Sequence, residues 1–178
     1  TEFLENCWQQ VAQEPAFVGR SLPQPELHLG EPGIPVRAFK REMSDLLVNL
    51  LRNATQVALE ERGDQARLGL FVDEEFDEIT GLERVVFAVA DNALSKLSDD
   101  MIRGRYIARG LGIVVELVRR NSGQIRVEQW PGYEKAIVVR LPRAEFAEAA
   151  NPEADEARAA VARSAVARAA VARAAVAR

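Results

Sequence analysis

The chain has 178 residues, 48% of them hydrophobic and 28% charged, and a formal net charge of −4. That length suits one domain with a substantial core, and the slight acidity excludes a general electrostatic pull toward nucleic acid. A single cysteine, Cys7, rules out an internal disulfide and points to a reducing, cytoplasmic setting. No apolar run approaches the roughly 20 residues of a membrane span, and no secretion signal opens the sequence. Membrane attachment is therefore expected only through a receptor part outside this chain.

Residues 2–13 read as an amphipathic helix with Phe3, Leu4, Cys7, Trp8 and Val11 on one face. The Glu14-Pro15 step closes it, and Cys7 reads as a packed side chain. Glu26-Leu27-His28-Leu29 alternates like a strand, and Val36-Arg37-Ala38 suits a short edge strand after the Pro32-Gly33 punctuation. From Lys40 to Glu61 an apolar stripe of Leu46, Leu47, Leu50, Leu51, Ala54, Val57 and Ala58 predicts a long helix, which Gly63 is placed to end.

Strands are expected at 66–72 and 84–90, joined by a solvated acidic hairpin from Asp73 to Gly81. A loop with a short helix covers 91–109, and a second strong helix runs over 111–120 until Asn121-Ser122-Gly123 stops it. Strands at 124–129 and 136–141 then meet through a Pro131-Gly132 turn. The sum is an α+β two-layer sandwich, with helices on one face of a mixed, mostly antiparallel sheet. Leu47, Leu50, Leu51, Val86, Ala88, Ile113, Leu117, Val127 and Val139 are the expected core.

Residues 1–143 form the expected domain, and 144–178 differ in kind. Arginines recur at 158, 163, 168, 173 and 178 in an Ala/Val background. A five-residue period turns about 140° per repeat, so they spiral round a helix instead of making a face. The segment reads first as a frayed or disordered low-complexity tail, and second as a basic arm for acidic partners.

Chemistry concentrates in three places. Asn49 and Asn53 stand four apart on one face of the long helix, unusual for a residue that favours caps over helix interiors. The second central strand runs into Asp91-Asn92-Ala93-Leu94-Ser95. Arg109-Gly110-Leu111-Gly112 opens the later helix, where glycines let backbone N–H groups approach a phosphate.

The order of Asn-helix, strand ending in Asp, Gly-Leu-Gly helix, Asn-Ser-Gly-Gln-Ile-Arg-Val-Glu and a final Val-Val-Arg-Leu-Pro resembles the histidine-kinase branch of the ATPase superfamily shared with gyrase and Hsp90-type chaperones. The likeness spans roughly residues 2–142. It implies ATP with Mg²⁺ as cofactor. Asn53 would be the metal ligand, with Asn49 a catalytic polar residue beside the γ-phosphate and Asp91 the acceptor of the adenine amino group. Ala93, Ser95, Gly110, Leu111 and Gly112 would line the nucleotide. The implied partners are a histidine-bearing dimerisation hairpin and a response regulator.

The departures bear on activity. Ala93 and Ser95 replace glycines of the pocket motif, the span from Asp91 to Gly110 is short for a nucleotide lid, and Lys135 stands where the family often has Thr. Arg103, Arg105 and Arg109 read equally as phosphate contacts in place of the lid and as a solvated basic loop. Two functions therefore compete: an ATP-binding catalytic domain of a two-component sensor kinase, and a degenerate domain that binds ATP weakly or not at all and acts through protein contacts. A serine kinase acting on a sigma-factor regulator shares the fold and stands as a third. The one histidine, His28, lies in a strand and reads as structural.

Overall fold

The computed structural model describes residues 2–30, 38, 40–78, 81–99, 102 and 109–143. The 144–178 segment, Val36 and Arg37 of the expected edge strand, and Arg103, Arg105 and Tyr106 lie outside the described residues.

Helix α1 spans Glu2–Ala12, α2 Lys40–Arg62 and α3 Arg109–Arg120. The strands are β1 Glu26–Leu29, β2 Leu68–Asp77, β3 Leu82–Asp91, β4 Gln124–Glu128 and β5 Lys135–Pro142. They form one sheet in the order β1-β2-β3-β5-β4, with β1 parallel to β2 and the other neighbours antiparallel. This is the α+β sandwich read from the sequence.

The main core lies between the helices and one sheet face. Helix α2 supplies Met43, Leu46, Leu47, Leu50, Leu51, Ala54 and Ala58, whose three- and four-residue spacings keep them on one side. They meet Leu68 and Leu70 of β2, Val85, Phe87 and Val89 of β3, and Ile137, Val139 and Leu141 of β5. Helix α1 adds Leu4, Cys7 and Val11. Burial pushes the Cys7 thiol pKa up, which suits packing and opposes reactivity.

Alternation sends the other strand residues to the far face. There Ala88, Ala90, Ala136 and Val138 are buried beneath Phe71, Val86, Trp130 and Tyr133. Gly69 permits this layer, because a Cβ there would lie 2.8 Å from the Tyr133 ring and 2.6 Å from Phe71. His28 stacks on Phe71, with centroids 4.4 Å apart and planes 4° from parallel.

Helix α3 ends in a Schellman arrangement. Gly123 N–H donates to the Val118 carbonyl and Ser122 N–H to that of Arg119, with Ser122 at φ 55°. Serine takes the left-handed place at a strain of about 1 kcal/mol. Gly123 is needed because a Cβ there would lie 2.5 Å from Leu141 and 2.7 Å from the Arg140 carbonyl.

Three expectations change. Ile113 is 49% exposed, because α3 turns Leu111, Val114, Leu117 and Val118 inward and leaves Ile113 on the opposite side. Val86 and Val127 are half-buried, Val86 on the far face and Val127 on the short edge strand β4. The strands of the acidic hairpin are longer than expected: Asp73, Glu74 and Glu75 continue β2 and pair with Val86, Val85 and Arg84. Carboxylates tolerate a strand whose faces reach solvent and cross-strand arginines.

Candidate functional site

Two clusters of the sequence-derived residues lie along α2, one at its middle and one beside its C-terminal end. In the first, α2 carries Asn49 and Asn53 against the start of α3. A Cβ on Gly110 would lie 3.1 Å from Asn49 Oδ1 and 3.2 Å from Asn53 Oδ1, so glycine lets the helix N-terminus meet both amides. Asn49 is buried; its Nδ2 donates to the Asp45 carbonyl at 2.6 Å and its Oδ1 accepts from Arg52 Nη1 at 2.8 Å. Arg52 is held in turn by Glu14, which raises its already high pKa through the hydrogen bond they share. Asn53 Nδ2 is buried without a partner among the described residues, a cost that a further polar group at this point would relieve. Leu111 faces the core, whereas a Cβ at Gly112 would meet nothing within 4 Å.

The second cluster lies where β3 finishes. Asp91 pairs in register with Lys135 at the start of β5. Lys135 Nζ reaches Asp91 Oδ1 at 2.8 Å and the Ala93 carbonyl at 3.0 Å. The same Asp91 oxygen accepts the Ala93 N–H at 2.9 Å. The two charged side chains are only 6% and 13% exposed, Asp91 the more deeply placed. Ala93 is buried and Ser95 exposed.

The segment after Asp91 is fastened to the end of α2. Glu61 Oε2 accepts the N–H groups of Leu94 at 2.6 Å and Ser95 at 3.0 Å. A further bond from the Ser95 side chain leads the causes that lower the Glu61 pKa. Arg62 Nε donates to the Asn92 carbonyl at 2.8 Å, and the Asn92 amide spans Gln65 and Arg67. Glu61, Arg62 and Glu14 were not legible as site residues, because each acts on a group 30 or more positions away, and Arg52, three positions from Asn49, is held there by the distant Glu14.

The sequence-derived site residues thus fall into two sets, Asn49, Asn53 and Gly110 in one cluster and Asp91, Ala93 and Lys135 in the other. The structure brings each set together. No protein-family model and no curated protein sequence matches the chain. Solved structures do match in shape. The mycobacterial sensor histidine kinase MprB superposes with a TM-score of 0.59 over 82% of this chain and 96% of its own, at 18% identity. The nucleotide-free catalytic domain of the histidine kinase ThkA gives 0.62 over 81% and 94%, at 12% identity. Full-length ShkA in complex with AMPPNP gives 0.59 over 80% of this chain and 30% of its own, at 19% identity.

The chain has a histidine-kinase-like ATPase fold. Among the described residues of this histidine-kinase-like domain, no helix is long and apolar enough to cross a membrane.

Proposed function

We propose that this domain is a degenerate histidine-kinase-like module of a two-component signalling protein, binding ATP weakly or not at all and acting through protein contacts. The ion pair between Lys135 and Asp91 carries the reading. The resemblance gives Asp91 the task of accepting the adenine amino group. Here one of its oxygens already holds an ammonium and a backbone N–H. An adenine amino group would have to share this carboxylate with the Lys135 ammonium, and displacing that ammonium would cost several kcal/mol against a returned hydrogen bond of about 1.5–3 kcal/mol. The competition at Asp91 supports weak nucleotide binding.

The Asn53 cluster does fit a metal, and it favours the second reading, a working ATP-binding catalytic domain that supplies phosphoryl to a histidine on a dimerisation hairpin. Asn53 offers an amide oxygen, a hard ligand suited to Mg²⁺, and its Nδ2 lacks a partner among the described residues. Bound Mg-ATP would supply the phosphoryl group. Asn53 would hold the metal, and Gly110 would keep the α3 N-terminus close enough to orient phosphate oxygens.

Calorimetric melting with and without millimolar Mg-ATP separates the readings. A ligand at a hundred times its dissociation constant adds about 2.7 kcal/mol to stability. The natural chain is expected to show a shift near zero. Lys135→Thr with Ala93→Gly and Ser95→Gly should create one of several degrees, and adding Asn53→Ala should remove it. A shift of several degrees in the natural chain, lost in Asp91→Asn, overturns the degenerate reading.

A further inference from the structure

Strands β2 and β3 run on together past their neighbours. β1 pairs with β2 only as far as Val72, and β5 pairs with β3 only from Arg84 onward. The protruding end carries two large apolar side chains in water, Phe76 at 61% exposure and Leu82 at 54%. They point to opposite faces of the hairpin, since Phe76 opposes Glu83 and Leu82 opposes Asp77. Such residues on an unpaired strand end invite a covering partner.

The charges around them say what kind. Residues 73–83 hold six acidic residues, Asp73, Glu74, Glu75, Asp77, Glu78 and Glu83, and no basic one. The chain already answers part of this charge with arginines from its last strand. Arg140 Nε lies 2.6 Å from Glu75, and Arg143 reaches Glu74 at 3.1 Å and Glu83 at 2.6 Å. Arg143 N–H also donates to the Glu83 carbonyl, so the last described residue is bonded to this hairpin.

The sequence beyond Arg143 has matching chemistry. Residues 144–157 hold five acidic residues (Glu145, Glu148, Glu153, Asp155 and Glu156) and no basic one, and beyond them arginines recur with no acid at 158, 163, 168, 173 and 178, with Val161, Val166, Val171 and Val176 between them. Fourteen residues separate Arg143 from Arg158, enough to reach up to about 50 Å when extended. A tether this short gives the segment an effective concentration in the millimolar range at the hairpin, so weak individual contacts suffice. Guanidinium groups match the remaining carboxylates, and the valines match Phe76, the more exposed of the two apolar side chains, on its own face of the hairpin.

We propose that the β2–β3 hairpin is the docking surface for the chain's own Val/Arg repeat at 158–178. The contact is intramolecular, held by screened ion pairs and shallow apolar cover. It rests on the hairpin geometry and not on the state of the Asp91 and Asn53 clusters, so it stands or falls separately from the degenerate reading.

Backbone amide NMR of the full chain tests it, against a variant with all five repeat arginines changed to Ser. At low salt, shift differences should cluster at 73–78 and 81–83 and be unchanged by tenfold dilution. They should vanish in about 1 M salt, where the screening length falls to about 3 Å. Asp73→Asn with Glu78→Gln should shrink them, while the signals of α2 and β5 report an intact fold in every variant. Differences that are absent, that map away from the hairpin, or that grow with protein concentration (the repeat of a second copy) overturn the proposal.

Discussion

The Asn53 and Asp91 clusters are built from the same fold yet stand in opposite states of satisfaction. In the Asn49–Asn53–Gly110 cluster a buried amide group has no partner among the described residues, and glycine keeps the helix N-terminus close. In the Asp91–Lys135 cluster each charge has found its counterpart within the chain, and Glu61 ties down the following backbone. An unsatisfied buried donor is tolerated at little net gain to the fold, whereas a buried ion pair becomes part of it. The Asp91 cluster is thus satisfied within the chain, and the Asn53 cluster holds the group that still calls for a partner.

The largest test compares truncations in the two clusters. Asp91→Ala should cost about 3 kcal/mol in denaturant unfolding, because it leaves the Lys135 ammonium buried without its counter-charge. The double change Asp91→Ala with Lys135→Met should recover most of that loss. Asn53→Ala should cost under about 1 kcal/mol, since no hydrogen bond of its Nδ2 to a described residue is broken. If Asn53→Ala proves the costlier change, the contrast between the clusters is wrong.

A smaller effect separates the two glycines of α3. Gly112→Ala adds a Cβ in open space and should stabilise the helix by about 0.5–1 kcal/mol. Gly110→Ala must displace Asn49 Oδ1 and Asn53 Oδ1 at 3.1 and 3.2 Å, so its gain should be smaller or reversed. Equal gains by thermal unfolding would show that the asparagine pair yields freely.

The smallest effect is local and depends on pH. Glu61 has a pKa lowered by its bonds to Ser95 and Leu94. Its hold on the loop is therefore complete above the ordinary carboxylate range and is lost as pH falls through the lowered value. Hydrogen-exchange protection at Leu94 and Ser95 should weaken across that acid range in the natural chain. In Glu61→Gln it should be weak throughout, and protection that survives unchanged in that variant would remove Glu61 from the account.

Much of this was legible in the sequence. Apolar spacing marked α2 through Leu46, Leu50 and Leu51, and alternation marked β3 and β5, because burial imposes a period on the chain. The order of Asn49, Asn53, Asp91 and Gly110 drew attention to both clusters. The state of those clusters was not legible. That Lys135 bonds Asp91 depends on the register of β3 against β5, and register is set by the whole sheet. Ile113 misled because a helix has two apolar-looking edges, and only packing decides which is covered. The strand ends of the acidic hairpin misled because composition placed Asp73, Glu74 and Glu75 in the connection, while cross-strand pairing with Val86, Val85 and Arg84 carries β2 through them.

The layer of rings on the far sheet face has an optical consequence. The chain holds two tryptophans. Trp8 packs on the helix-side core, and Trp130 belongs to the cluster over Ala88, Ala90, Ala136 and Val138. Intrinsic emission therefore sums two reporters with the sheet between them, and a Trp8→Phe chain would shine from the far layer alone. Its colour would register anything that settles on that face, or strips the rings from it, while the helical side stays dark.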